Sequence, residues 1–121
     1  MKKENTYEQC FHASGNGILV TDKNGLIIAI NKQAERIFDI HGSQVNGGMI
    51  TDFLPIMGKE VLECLRTKKT KLGIHLHEQK VEHVLDISII DKNSVVLGAV
   101  CTFQEMSQFE FSARMNSLPE N

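Results

Sequence analysis

Residues 17–40, GILVTDKNGLIIAINKQAERIFDI, constrain the fold of this chain more than any other stretch. Two apolar, β-rich runs, residues 18–21 and 26–30, flank Asp22-Lys23-Asn24-Gly25. Asn-Gly between such runs predicts a hairpin, because both residues accept positive φ. Asn31 then closes the second run. Ala34, Ile37 and Phe38 recur at helical spacing, with Lys32, Glu35 and Arg36 between them. The stretch therefore reads as strand, turn, strand and a short amphipathic helix over residues 32–39.

The rest of the chain extends this pattern. Residues 5–13 predict a short helix with Tyr7, Cys10 and Phe11 on one face, stopped by Ser14-Gly15-Asn16-Gly17. His41-Gly42 ends the helix after the hairpin. Residues 43–55 hold Gly47-Gly48 and Pro55, so they read as a loop with one or two helical turns, Thr51 capping one ahead of Phe53 and Leu54. Met57, Val61, Leu62 and Leu65 predict a helix over residues 57–68. The basic run 66–71 reads as a solvated loop. Three strands follow near residues 71–79, 82–91 and 94–104, the last two paired across Asp91-Lys92-Asn93. With the hairpin strands near 17–22 and 25–31, this gives an α+β layout: a five-stranded antiparallel sheet with helices packed on one face.

Composition narrows the function. A chain of 121 residues, 41% hydrophobic, holds one domain with a real core. A formal net charge of −2 argues against nucleic-acid binding by bulk electrostatics. No apolar run is long enough to span a bilayer, and the polar residues Glu4, Asn5 and Thr6 stand where a signal peptide needs an apolar region. The expected location is the cytoplasm. Cys10, Cys64 and Cys101 form no CxxC pair and read as reduced thiols packed as small hydrophobes.

Several positions match a family pattern, in order and spacing. Asp22 and Gly25 sit in the first hairpin turn. Asn31 ends the second strand, where its side chain can cap the next helix, and Ala34 fills the N-x-x-[AF] position. Residues 47–55, closing on Asp52-Phe53-Leu54-Pro55, fit G-x-x-[LVI]-x-D-[LF]-[LFI]-P. Gly98-Ala99-Val100-Cys101-Thr102-Phe103-Gln104-Glu105-Met106-Ser107 fits the ending G-x-v-x-[TS]-[FL]-x-D-[IM]-[ST], with Glu105 in place of the usual Asp. Over roughly residues 7–106 the chain resembles a PAS domain, a small sensory module. The closing segment is similar to the exit into a signalling helix in sigma-54-dependent transcriptional activators and histidine kinases.

The resemblance implies three parts: an N-terminal helix or cap (1–16), a PAS sensory domain (17–106) and a C-terminal signalling helix or linker (107–121). It implies no enzyme but a module that binds a small effector and relays the signal through dimerisation to an output domain, in a bacterial transcriptional regulator or a sensor histidine kinase. A homodimer is expected from the terminal stripes Tyr7, Cys10 and Phe11, and Phe109, Phe111 and Met115, together with an apolar outer sheet face.

The family keeps a cavity between sheet and helices. Alternation and the family pattern place Leu19, Thr21, Ile28 and Ile30 on it. Ala34, Phe38, Phe53, Val61 and Leu65 form a helical wall, and Ile74 and Leu76 close it, with Thr21 and Thr102 as polar contacts. This aliphatic lining suits a small, mostly apolar ligand, and equally a dry core and a ligand-free dimerisation module. No catalytic constellation is present, and Asp86 is expected to face solvent. His75, His77 and His83 read as solvated surface histidines rather than metal ligands, because the hairpin register is open. Heme is disfavoured because the 57–68 helix has no histidine. Flavin is disfavoured because the reactive cysteine motif of flavin photoreceptors is missing.

Overall fold

The structure is a computed structural model and describes residues 6–106. Its elements are α1 (Thr6–Ala13), β1 (Gly17–Asp22), β2 (Ile27–Ile30), α2 (Lys32–Phe38), α3 (Gly42–Val45), α4 (Ile50–Phe53), α5 (Pro55–Thr67), β3 (Lys71–Glu78), β4 (Val81–Lys92) and β5 (Val95–Met106). The strands form one five-stranded sheet in the order β2-β1-β5-β4-β3, antiparallel at every pairing. The expected α+β architecture is the one observed.

The first hairpin turns differently from expectation. Gly25 alone takes a positive φ, 87°, and Asn24 does not. The Asp22 carboxylate accepts from the backbone N–H of Asn24 and of Leu26, and Gly25 N–H donates to the Asp22 carbonyl at 3.2 Å. The turn is thus a three-residue loop with glycine at the left-handed position. Gly98 is required for another reason. A Cβ there would stand 2.0 Å from the Thr21 carbonyl oxygen, where β5 pairs with the end of β1. The two later hairpins turn through Gln79-Lys80 and Asn93-Ser94, all four residues at positive φ without glycine.

Helix starts follow capping chemistry. Asn31 caps α2 by accepting from Ala34 N–H at 2.9 Å, as expected. Pro55 stands at the first position of α5, so the helix begins two residues before the expected 57. Thr51 lies inside α4, whose N-cap is Met49 without a side-chain bond; Thr51 is therefore not a cap. The basic run is not wholly solvated either, since Lys71 reaches Glu60 and Glu63 at 3.1 Å each.

The core lies between the inner face of the sheet and α2, α4 and α5. Leu19, Ile27, Ala34, Ile50, Leu54, Met57, Val61, Leu85, Ile87, Ala99 and Cys101 are all fully buried there. Each large aliphatic side chain removed from water contributes roughly 1.5–3 kcal/mol. No described helix is long and apolar enough to cross a membrane. Residues 107–121, with Phe109, Phe111 and Met115, lie outside the described residues.

Candidate functional site

Strand alternation decides which side chains reach the interior. Along β4, His83, Leu85 and Ile87 are buried at a period of two, while Val84 and Asp86 point the other way. On β5 the register sets Phe103 opposite Leu85 and Cys101 opposite Ile87. On β3, Ile74 pairs with Leu85 and Leu76 with His83. The inner face of the sheet is mostly apolar, its buried polar residues being Thr21 on β1, Glu78 at the end of β3 and His83 on β4.

Most of the expected lining converges. Leu19, Thr21, Ile30, Ala34, Phe38, Val61 and Leu65 are buried, and Phe53, Ile74 and Leu76 pack against the same core. Ile28 does not belong to it. It is 56% exposed, and Ile27 takes the interior place. The cause is a register shift in the β1–β2 pairing: Val20 faces Ala29, but Thr21 faces Ile27. The bulge leaves Ile28 unpaired and inverts the alternation beyond it. Ile28 lies instead in an outer groove with Tyr7, Phe11, Glu35 and Asn46. Thr102 is also outside, in a shallow depression with Val84, Asp86 and Gln104. Thr21 is inside, but its hydroxyl donates to the Asp22 carbonyl at 3.0 Å.

His83 corrects the expectation of solvated histidines. Its exposure is 0%, and it joins a three-ring cluster with Phe38 of α2 and Phe103 of β5. Its ring centroid is 5.3 Å from Phe38, edge to face, and 5.9 Å from Phe103. The two phenylalanines are themselves 5.3 Å apart. Neither imidazole nitrogen has a hydrogen-bond partner among the described residues. Burial depresses its pKa from 6.5 to about 4, against the opposing pull of Glu82 and with a small push from His77. At neutral pH the ring is uncharged, with one donor and one acceptor nitrogen. The signal was present in the sequence, since His83 shares parity with Leu85 and Ile87. His77 is on the outer face, exposed and bonded to Glu82. Among the described residues no three His, Cys, Asp or Glu side chains gather into a metal site.

Two other carboxylates, one buried and one partly exposed, are structural. Glu78 is 1% exposed, and its two carboxylate oxygens accept from Ile56 N–H at 2.7 Å and Met57 N–H at 2.9 Å. It satisfies the N-terminus of α5 from the end of β3. Asp86 accepts from Gly73 N–H at 2.7 Å and holds the irregularity in β3, so it is not simply solvated. Cys101 is buried, which pushes its thiol up to about 12, and burial also raises Cys64; neither has the thiolate character of a reactive cysteine. Cys10 is exposed on α1, contrary to a packed reading.

This interior, enclosed by a five-stranded antiparallel sheet and a helical wall, defines a sensory-module fold. The PAS fold family model matches residues 5–106, and the chain belongs to that family. Similar solved structures include the PAS domain of the histidine kinase ThkA, at 20% identity and a TM-score of 0.65, covering 74% of this chain and 97% of that one. A PAS domain from Colwellia psychrerythraea matches at 19% identity and a TM-score of 0.67, covering 84% and 95%. The PAS domain of nitrogen regulation protein NR(II) from Vibrio parahaemolyticus matches at 12% identity and a TM-score of 0.62, covering 85% and 100%. At these identities the likeness shows the fold alone. No curated protein matches by sequence.

Proposed function

We propose that this domain senses a small effector in its interior and relays occupancy through a homodimer to an output domain, in a bacterial transcriptional regulator of the sigma-54-dependent kind. It works as a non-catalytic, cytoplasmic module with the three-part organisation expected from its sequence. One observation carries the reading: the helical wall is tied to the strand that leaves the domain. Phe38 of α2 packs on Phe103 of β5, and Arg36 of α2 lies 3.9 Å from Glu105, one residue before the end of β5. An occupant that displaces α2 shifts Phe38, and the displacement is felt where the chain runs on to residues 107–121. Dimerisation through α1 fits its surface, since α1 buries no residue and Tyr7 is 87% exposed. A sensor histidine kinase is the other host we weigh for such a module, since the PAS domain of the histidine kinase ThkA has the same fold.

The packing itself favours a second reading, a ligand-free dimerisation module, because the lining residues form one contiguous buried cluster. Native mass spectrometry of the purified full chain separates the two. A retained small molecule supports sensing, and a bare dimer supports assembly alone. A monomer at all accessible concentrations in sedimentation removes the dimer from both.

A further inference from the structure

We propose that the Phe38–His83–Phe103 cluster is the polar end of an interior binding site for a small neutral molecule, apolar over most of its surface and carrying one hydroxyl. The inference rests on the interior-sensing reading above and names the class of molecule it would take. Its ground is the buried imidazole. His83 is fully enclosed, yet both ring nitrogens lack a partner among the described residues. Buried polar side chains are otherwise hydrogen-bonded, and one left open is costly. Asn31 and Glu78 in the same domain obey that rule completely.

The surroundings restrict the occupant. Phe38, Phe103, Leu76 and Leu85 bound the imidazole on α2 and the inner sheet face. Among the described residues no cationic side chain joins that apolar wall, so an anion would be desolvated without compensation. Arg36 lies at the rim, engaged with Glu105 and largely exposed. A neutral imidazole offers one donor and one acceptor, and a hydroxyl can serve either. The rest of the molecule must match phenylalanine and leucine, through edge-to-face ring contact or aliphatic packing.

A matched pair of probes tests this. Phenol and toluene have nearly the same shape and differ in the hydroxyl. In a wholly apolar site toluene binds tighter, because phenol loses water at its hydroxyl without replacement. With His83 as anchor the order reverses, and phenol should bind about tenfold tighter than toluene. Titrations of the full chain, followed by NMR, should also move the His83 ring-nitrogen resonances with phenol and leave them nearly still with toluene. His83→Phe should restore the preference for toluene, and His83→Gln should retain part of the preference for phenol. The nitrogen shifts are read on the unmodified protein, so the test survives a variant that fails to fold. Toluene binding tighter than phenol to the unmodified chain would leave an interior site in place and overturn the role of His83. Binding of neither probe would overturn both this inference and the sensing reading beneath it.

Discussion

Two buried polar regions of this domain are built on opposite principles. At the joint between β2 and α2, Asn31 is fully buried and uses all its capacity. Its Oδ1 accepts from Ile18 N–H at 2.8 Å and Ala34 N–H at 2.9 Å, and its Nδ2 donates to the carbonyls of Phe11 and Asn16 at 2.9 Å each. One side chain thus fastens β1, the start of α2 and the end of α1. At the other region His83, equally buried, fastens nothing by hydrogen bonds. The first arrangement is what specifying a fold demands. The second weakens the fold when nothing meets it, and a polar group is useful there only if something other than the fold is to be bound.

The comparison breaks most visibly at Asn31. Asn31→Leu keeps the volume but strands two N–H groups and two carbonyls, at a cost of roughly 3–5 kcal/mol. Urea denaturation would read this as a large fall in midpoint at unchanged slope. A loss below about 1 kcal/mol would mean that water substitutes at this joint, and the contrast with His83 would fail. Glu78 belongs with Asn31. Glu78→Gln places an amide N–H₂ where one of two backbone donors needs an acceptor, and removes a negative charge from the start of α5. The expected loss is about 2–3 kcal/mol, read in the same experiment.

How much of this was legible beforehand follows from what each feature depends on. The sheet, the α5 helix and the Asn31 cap rest on local periodicity and capping chemistry, and these were readable from neighbouring residues. Ile28 was misplaced because a bulge between β1 and β2 is a property of the pairing. Ile27, Ile28 and Ile30 are chemically alike, so the residues carry no mark of the slip. The role of Glu78 is not legible because its partners are 22 and 21 residues away, and nothing at the end of the expected strand marks the carboxylate as a helix cap. His83 was the avoidable error. The solvated reading rests on the open register between β3 and β4, but the alternation along β4 that sets Leu85 and Ile87 inside sets His83 inside whatever that register is.

The pH dependence sharpens the same contrast. The folded pKa of His83, about 4, lies below its unfolded value near 6.5. Above pH 6.5 the ring is neutral in both states and contributes nothing. Between 6.5 and 4 the unfolded chain takes up a proton that the folded domain refuses, so stability falls as pH falls through that window. The groups acting on the ring are Glu82, which favours the proton, and His77, which opposes it. The expected loss between pH 7 and pH 4.5 is on the order of 2 kcal/mol. Denaturant midpoints across the range should show it, and His83→Phe should remove that part of the slope. A slope identical in the variant would place the acid sensitivity in other groups.

The smallest effect has the opposite sign. At pH 7, His83→Phe exchanges an unpaired polar ring for an apolar one in a cluster that already holds Phe38 and Phe103. The desolvation penalty of two nitrogens is relieved, and ring contact with both neighbours is kept. The added volume of a six-membered ring costs something in return where packing is tight. The net expectation is a gain of about 1 kcal/mol in the ligand-free protein, seen as a rise of a few degrees in melting temperature. Asn31 and Glu78 admit no substitution of this kind, because every atom removed there leaves a backbone group unmet. A destabilised His83→Phe domain would mean that the imidazole nitrogens are satisfied in solution, by bound water or by residues beyond 106, and that the two regions are built alike after all. A stabilised one would mark His83 as a residue retained at a cost to the fold, as binding residues commonly are.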